Sequence, residues 1–146
     1  MNLRRYAGQA VFGGSDGAMS ILGPVMFFAS RNPALVFPVA LMGAVSASAS
    51  MGAGELLSED DSQTMGAVLV MAAATFTGSV LPAAPYLFLS GWPALLASAG
   101  LVLGVALTVG HLRAWRPHRY AETVAILAVV FTVTVVCNLL IPGSAS

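Results

Sequence analysis

The sequence predicts an all-α membrane protein with five transmembrane helices, and two observations support this fold class. Apolar residues make up 58% of the 146-residue chain and charged residues only 8%, whereas a soluble domain of this size needs far more charge to cover its surface. Five apolar stretches follow one another, each close to the ~20 residues that cross a hydrocarbon core of ~30 Å. Transmembrane β-strands would instead show short segments of alternating polarity.

The five predicted spans form a single transmembrane domain over residues 1–146. Their approximate bounds are 7–29, 34–57, 65–89, 92–112 and 120–141. The loops between them are short, so no second domain is predicted. The break between the third and fourth spans falls at Ser90-Gly91, because three prolines crowd this region and a fused span would be far too long.

Arginine placement predicts the orientation of the chain. All six basic residues are arginines: Arg4 and Arg5 precede the first span, three lie in the loop 113–119, and only Arg31 falls on the opposite side. Because positive charge collects on the cytoplasmic side, the N-terminus is expected in the cytoplasm and the C-terminus outside. With no recognisable targeting segment, the expected location is a prokaryotic plasma membrane.

Asp16 is the most unusual residue of the first span, near whose middle it lies between Gly13-Gly14 and Gly17. A carboxylate at this depth costs about 2.5–3.5 kcal/mol on insertion scales, and such a group usually faces a bundle interior or a hydrated path. The neighbouring glycines allow the close approach of another helix or of a ligand. The alternative role is a protonated side chain that forms a hydrogen bond across helices.

The end of the second span carries Met51, Glu55 and Glu59 at intervals of four residues, so a continuous helix places them on one face. Asp16 is similarly followed by Met19. Carboxylates alone suit Mg²⁺ or Ca²⁺, and a thioether shifts the preference toward first-row transition metals. Asp16, Met51 and Glu55 are therefore the leading candidate ligands of a transported divalent cation, and Met19 is a weaker one. Packing or lipid contact is the alternative for each methionine.

The acidic run of Glu55, Glu59, Asp60 and Asp61 holds four of the six acidic residues. On the cytoplasmic side it would concentrate cations at the mouth of a path. Its last three members are thus also weaker candidates for metal contact, with a solvated turn as the alternative. On the same span, small residues recur every four positions and predict a close helix contact; they are Ser46, Ser50 and Gly54.

Other classes of function are disfavoured. No zinc-protease, serine-hydrolase or phosphate-loop motif is present, and an aspartyl protease needs two deep carboxylates where this chain has one. We therefore predict no enzymatic activity and no cofactor. No basic patch with interleaved aromatic residues indicates nucleic-acid binding. Cys137 lies alone in an apolar run and is interpreted as a small buried hydrophobic side chain.

Three motifs together resemble the vacuolar iron transporter family. Its G-x-x-D-G pattern in the first span is matched by residues 13–17, its S-M-x-x-G-E pattern by residues 50–55, and its L-P-x-x-P-Y pattern by residues 81–86. Their order and spacing and the five-span layout agree along nearly the whole chain. Typical members carry a long glutamate-rich cytoplasmic domain between spans 2 and 3, which this chain lacks, as do the shorter nodulin-like members.

The resemblance implies a homodimer with a cation path along its two-fold axis, which exports Fe²⁺ from the cytoplasm in exchange for protons and also accepts Mn²⁺. It assigns Asp16, Met51 and Glu55 to this path. One protomer also has too few inward polar groups to line a path, and a two-fold axis doubles them. Expected partners are a second copy, the lipid bilayer, divalent metal cations and protons. The alternatives are a channel or importer for another cation, or a non-transporting, regulatory membrane protein with the same fold.

Overall fold

Five α-helices make up almost all of the chain that the computed structural model describes, which is residues 6–58, 64–112 and 117–140. The helices are α1 Ala7–Arg31, α2 Val36–Leu57, α3 Met65–Ala83, α4 Gly91–Leu112 and α5 Pro117–Leu140. Short 3-10 helices precede α2 at Pro33–Leu35 and follow α3 at Ala84–Leu87. The described residues contain no β-strand, so the predicted all-α fold is confirmed for them.

Among the described residues, three helical stretches are long and apolar enough to cross a membrane. They are Ala7–Arg31, Pro33–Leu57 and Met65–Leu87, and each exceeds the ~20 residues that a crossing needs. The architecture is therefore that of an all-α membrane protein. Within the described residues α4 and α5 carry shorter apolar stretches, so their crossing, and with it the count of five spans, stays a prediction.

Side-chain contacts show that the first three helices alternate in direction. The hydroxyl oxygens of Tyr6, just before α1, and Thr64, just before α3, lie 3.2 Å apart. Gln9, near the start of α1, forms a hydrogen bond with Glu55, near the end of α2. The start of α1, the end of α2 and the start of α3 therefore share one end of the bundle, which we call the Glu55 end.

The opposite end of the bundle, which we call the Tyr86 end, holds a cluster of buried apolar side chains from five helical segments. Its members are Ile21, Val25, Val36, Ala40, Ala83, Tyr86 and Ala94. Beside it, Ser98 of α4 donates a 2.5 Å hydrogen bond to the carbonyl of the buried Pro82 in α3. Since Ala83 and Tyr86 belong to the L-P-x-x-P-Y segment, that segment contributes to the core at this end.

Gly91 returns the chain from the Tyr86 end into α4. Its φ is +64°, in the left-handed region that residues with a Cβ rarely adopt. Further along α4, Thr108 lines a groove with Ala10 of α1, so α4 ends toward the Glu55 end. The chain direction reverses again in α5, because Cys137 near the end of α5 lies beside Phe28 of α1 near the Tyr86 end.

The interpretation of Cys137 as buried is wrong for the single chain, in which this side chain is exposed. It lines a cleft of about 450 Å³ between α5 and the second half of α1. A membrane helix can expose an apolar side chain to lipid without the penalty that water would impose, and so an apolar sequence neighbourhood does not imply burial here.

The closest helix crossing in the bundle joins α1 and α3. A Cβ on Gly17 would press against the Thr75 carbonyl oxygen and would lie 2.9 Å from Ser79 Oγ, and a Cβ on Gly78 would press against the Gly14 carbonyl oxygen. Ser79 Oγ also donates a 3.1 Å hydrogen bond to the Gly17 carbonyl across this contact. In lipid, where apolar surface gives little driving force, such close backbone packing and interhelical hydrogen bonds hold helices together.

Candidate metal path

Asp16 lies in the middle of α1, beside the crossing with α3, and is half-buried. Its neighbours Gly13 and Gly17 both pack against α3, so the glycines of the G-x-x-D-G segment serve the helix crossing. With 3.6 residues per turn, Asp16 points about 60° away from the direction of Gly13 and about 100° away from that of Gly17. The carboxylate therefore emerges at the flank of the α1–α3 contact.

The Asp16 carboxylate has no partner within the described part of one chain. Ser20 Oγ donates a 2.7 Å hydrogen bond to the backbone carbonyl of Asp16, but no described side chain forms a hydrogen bond or ion pair with the carboxylate. The alternative role as an interhelical hydrogen-bonding group therefore finds no acceptor or donor among these residues.

Glu55 lies near the end of α2, half-buried, and accepts a 3.2 Å hydrogen bond from Gln9 Nε2 to its Oε1. Gln9 precedes Asp16 by seven residues on α1, and two helical turns return the chain to within about 20° of the same direction. Asp16 therefore shares the α1 face that meets α2 at Glu55. Along the helix axis, Asp16 lies about 10 Å further into the bundle than Gln9.

Met51 lies one turn before Glu55 on α2 and is half-buried. A four-residue step places it about 6 Å deeper than Glu55, at a level between Glu55 and Asp16. The adjacent Gly52 is buried and faces α3, where an added Cβ would lie 3.3 Å from the Ala72 Cβ. Met51 is thus on the flank of the α2–α3 contact, next to the α1–α2 seam.

The weaker candidates differ in how far the structure describes them. Met19 is half-buried on α1, about one turn beyond Asp16 toward the Tyr86 end. Glu59, Asp60 and Asp61 lie outside the described residues, so their role at a cytoplasmic mouth stays a prediction.

The candidate ligands lie at successive depths along the seam between α1 and α2. Two carboxylates are separated by about 10 Å along the axis, with a thioether level between them. Among the residues that the structure describes, no group of three or more His, Cys, Asp and Glu side chains is close enough to hold a metal ion.

Comparison with protein-family models, curated proteins and solved structures finds no match. The likeness to vacuolar iron transporters therefore rests on the three short motifs. Two of these motifs supply Asp16 and Glu55 on the α1–α2 seam and Met51 next to it. The third lies in the buried cluster at the Tyr86 end.

No local sequence pattern marks Gln9, although its amide contacts Glu55, one of the leading candidates. Glutamine has no charge to mark it in an apolar run, and its partner Glu55 is 46 residues away along the chain. The pairing of Tyr6 with Thr64 is similarly long-range, at 58 residues. The signal that could have found Gln9 is its two-turn spacing from Asp16, which puts both polar side chains on one face of α1.

Proposed function

We propose that this chain transports divalent transition-metal cations, Fe²⁺ or Mn²⁺, and exports them from the cytoplasm in exchange for protons. The observation that supports the proposal most directly is the hydrogen bond between Gln9 and Glu55. It sets the register of α1 against α2, so that Glu55, Met51 and Asp16 follow one another in depth along the same seam. Carboxylate oxygens and a thioether together form a ligand set suited to first-row transition metals.

In the proposed mechanism the cation enters at the Glu55 end and passes Met51 before it reaches Asp16. Each carboxylate must be deprotonated to bind the metal, so protonation releases the metal from that site. Protons that move in the opposite direction can therefore drive net export. The charge of Asp16 matters most, because it lies where the cation has lost most of its water.

The proposed transporter is a homodimer. Ser46, Ser50 and Gly54 are exposed in the single chain, and a Cβ added to Gly54 would meet no atom within 4 Å. The close contact that this stripe predicts is thus not made with the described parts of the other helices in the same chain. A second copy is the partner that we propose for it.

A dimer across this stripe predicts selective crosslinking. In a Cys137→Ala background, Ser46→Cys is expected to give disulfide-linked dimers in membranes, because equivalent residues near a two-fold axis approach each other. Leu41→Cys, which is also exposed but lies about 140° around α2, is the matched control and should stay monomeric on gels. Equal crosslinking at both positions would contradict this interface.

The proposed orientation places the Glu55 end in the cytoplasm. The start of α1, which Arg4 and Arg5 precede in the sequence, lies at that end, and α4 ends toward it just before the arginines of the loop 113–119. The positive-inside rule therefore favours this orientation. Reporter fusions at Ser146 are therefore expected to give an external signal, and fusions within the loop 113–119 a cytoplasmic one. A cytoplasmic signal from Ser146 would contradict the five-span arrangement.

Met51→Leu is expected to change metal preference rather than fold. The substitution nearly conserves volume, so the free energy of unfolding should change by less than ~1.5 kcal/mol. It removes the thioether, so Fe²⁺ flux should fall more than any flux of Mg²⁺, which does not favour sulfur. Flux of both ions is measured in proteoliposomes, with Met42→Leu, an exposed methionine on the same helix, as the control. An equal fall for both ions would remove Met51 from the path.

The decisive experiment for the proposed function is metal flux in proteoliposomes under an imposed pH gradient, with Fe²⁺, Mn²⁺, Co²⁺, Zn²⁺ and Mg²⁺ compared. The proposal predicts uptake of Fe²⁺ or Mn²⁺ coupled to counterflow of protons. Flux that ignores the pH gradient would instead identify a channel. A protein without flux for any of these ions would support the non-transporting alternative.

A further inference from the structure

We infer that Gln9 is a positioning residue, which orients the Glu55 carboxylate for the passing cation; this inference rests on the proposed function. Gln9 Nε2 lies 3.2 Å from Glu55 Oε1, and both side chains are half-buried where α1 meets the end of α2. The contact joins two helices, so it restricts the rotation of the Glu55 side chain.

The chemistry of the two groups determines which way the amide faces. An ionised carboxylate only accepts hydrogen bonds, so the amide must present its N–H to Glu55. One carboxylate oxygen is thereby occupied, and the second oxygen, Oε2, remains for a cation. Gln9 thus restricts Glu55 to a single orientation without taking up all of its ligand capacity.

Gln9 carries no charge, which suits a residue beside a cation path. A lysine or arginine at this position would also donate a hydrogen bond, but its positive charge would pair with Glu55 and repel an incoming divalent cation. The amide keeps the carboxylate in place and leaves its negative charge uncompensated. If Gln9 served only to hold α1 against α2, a positive charge would strengthen its contact with Glu55. At a cation path, the same charge would weaken binding of the cation.

Preorganisation explains why the contact affects affinity. A glutamate side chain loses rotational freedom when it binds an ion, and a neighbour that already holds the side chain lowers that loss. Removing the donor is therefore expected to weaken apparent affinity for the metal and to spare the maximal rate, because Asp16 and Met51 remain in place.

The test compares Gln9→Met and Gln9→Lys with the wild-type chain by Mn²⁺ flux in proteoliposomes and by thermal melting of the detergent-solubilised protein. Gln9→Met keeps a similar volume without a donor and should raise the KM for Mn²⁺ about three- to tenfold, with the maximal rate within about twofold. Gln9→Lys keeps a donor but adds charge, so its KM should exceed that of Gln9→Met while its melting temperature stays at or above it. If Gln9→Met does not fold, Gln9→Leu replaces it.

Two results would overturn the positioning role while leaving the proposed function intact. One is a wild-type KM in Gln9→Met, and the other is a KM in Gln9→Lys closer to wild type than that of Gln9→Met, as a helix clasp would give. If the wild-type chain itself moves no Mn²⁺ or Fe²⁺, the proposed function fails and the inference fails with it. Ser15→Ala, on the same helix and half-buried with a bond only within α1, should match the wild type throughout.

Discussion

Asp16→Asn is expected to reduce metal flux to the level of empty liposomes while the protein remains folded. Asparagine keeps the size of the side chain and its capacity for hydrogen bonds, so the free energy of unfolding should change by less than about 1 kcal/mol. The substitution removes the negative charge that a partly dehydrated divalent cation needs at this depth, and it removes the group that takes up a proton. Flux, melting temperature and oligomeric state are measured on the same preparation.

Ser15→Ala provides the matched control for Asp16→Asn. Ser15 is the preceding residue, is also half-buried, and donates its hydroxyl to the Val11 carbonyl within its own helix. Its removal should leave flux unchanged. Full flux in Asp16→Asn would assign Asp16 a structural role and would defeat the proposed path.

The second large effect is expected from Gly17→Ala, which should destabilise the bundle by about 3 kcal/mol. The new methyl group would press against the Thr75 carbonyl oxygen, and a backbone atom within a helix cannot move aside as a flexible side chain can. The helices must separate, which also weakens the bond from Ser79 to the Gly17 carbonyl. Loss of folded protein is measured by melting temperature and by the monodisperse yield after extraction.

Gly23→Ala separates this steric effect from the general consequences of a longer side chain in α1. An added Cβ at Gly23 would meet no atom within 4 Å, and alanine favours a helix over glycine by about 1 kcal/mol. The control should therefore be neutral or slightly stabilising. Similar losses in both variants would show that the glycine crossing does not hold the bundle together.

The helices could be predicted from the sequence because a lipid environment imposes one simple requirement on the backbone. Long apolar runs such as those over α1, α2 and α3 form helices, because a helix pairs its backbone hydrogen-bonding groups internally, as a lipid environment demands. The turn before α4 was predictable for a local reason, since Gly91 adopts the positive φ that glycine allows and three prolines surround it.

The details of the site depend on contacts between distant residues, which local patterns do not encode. The glycines around Asp16 could equally serve a ligand or a helix, and only the position of Thr75 and Ser79 on α3 identifies the helix as their neighbour. Gln9 is similarly indistinct in the sequence until the register of α1 against α2 brings it to Glu55. The burial of apolar side chains was harder still to predict, because a side chain such as that of Cys137 can face lipid as readily as protein.

The two parts of α1 on either side of its glycine crossing with α3 are held unequally by their neighbours. Because Gly13 also packs against α3, the segment that can tilt runs from Gly13 to Ala7, about 9 Å, and a tilt of about 10° moves its end about 1.6 Å. A displacement of that size breaks the 3.2 Å contacts of Tyr6 and Gln9. The C-terminal part of α1 packs in the cluster around Tyr86 and resists the same tilt. We therefore expect α1 to tilt more easily at the Glu55 end than at the Tyr86 end.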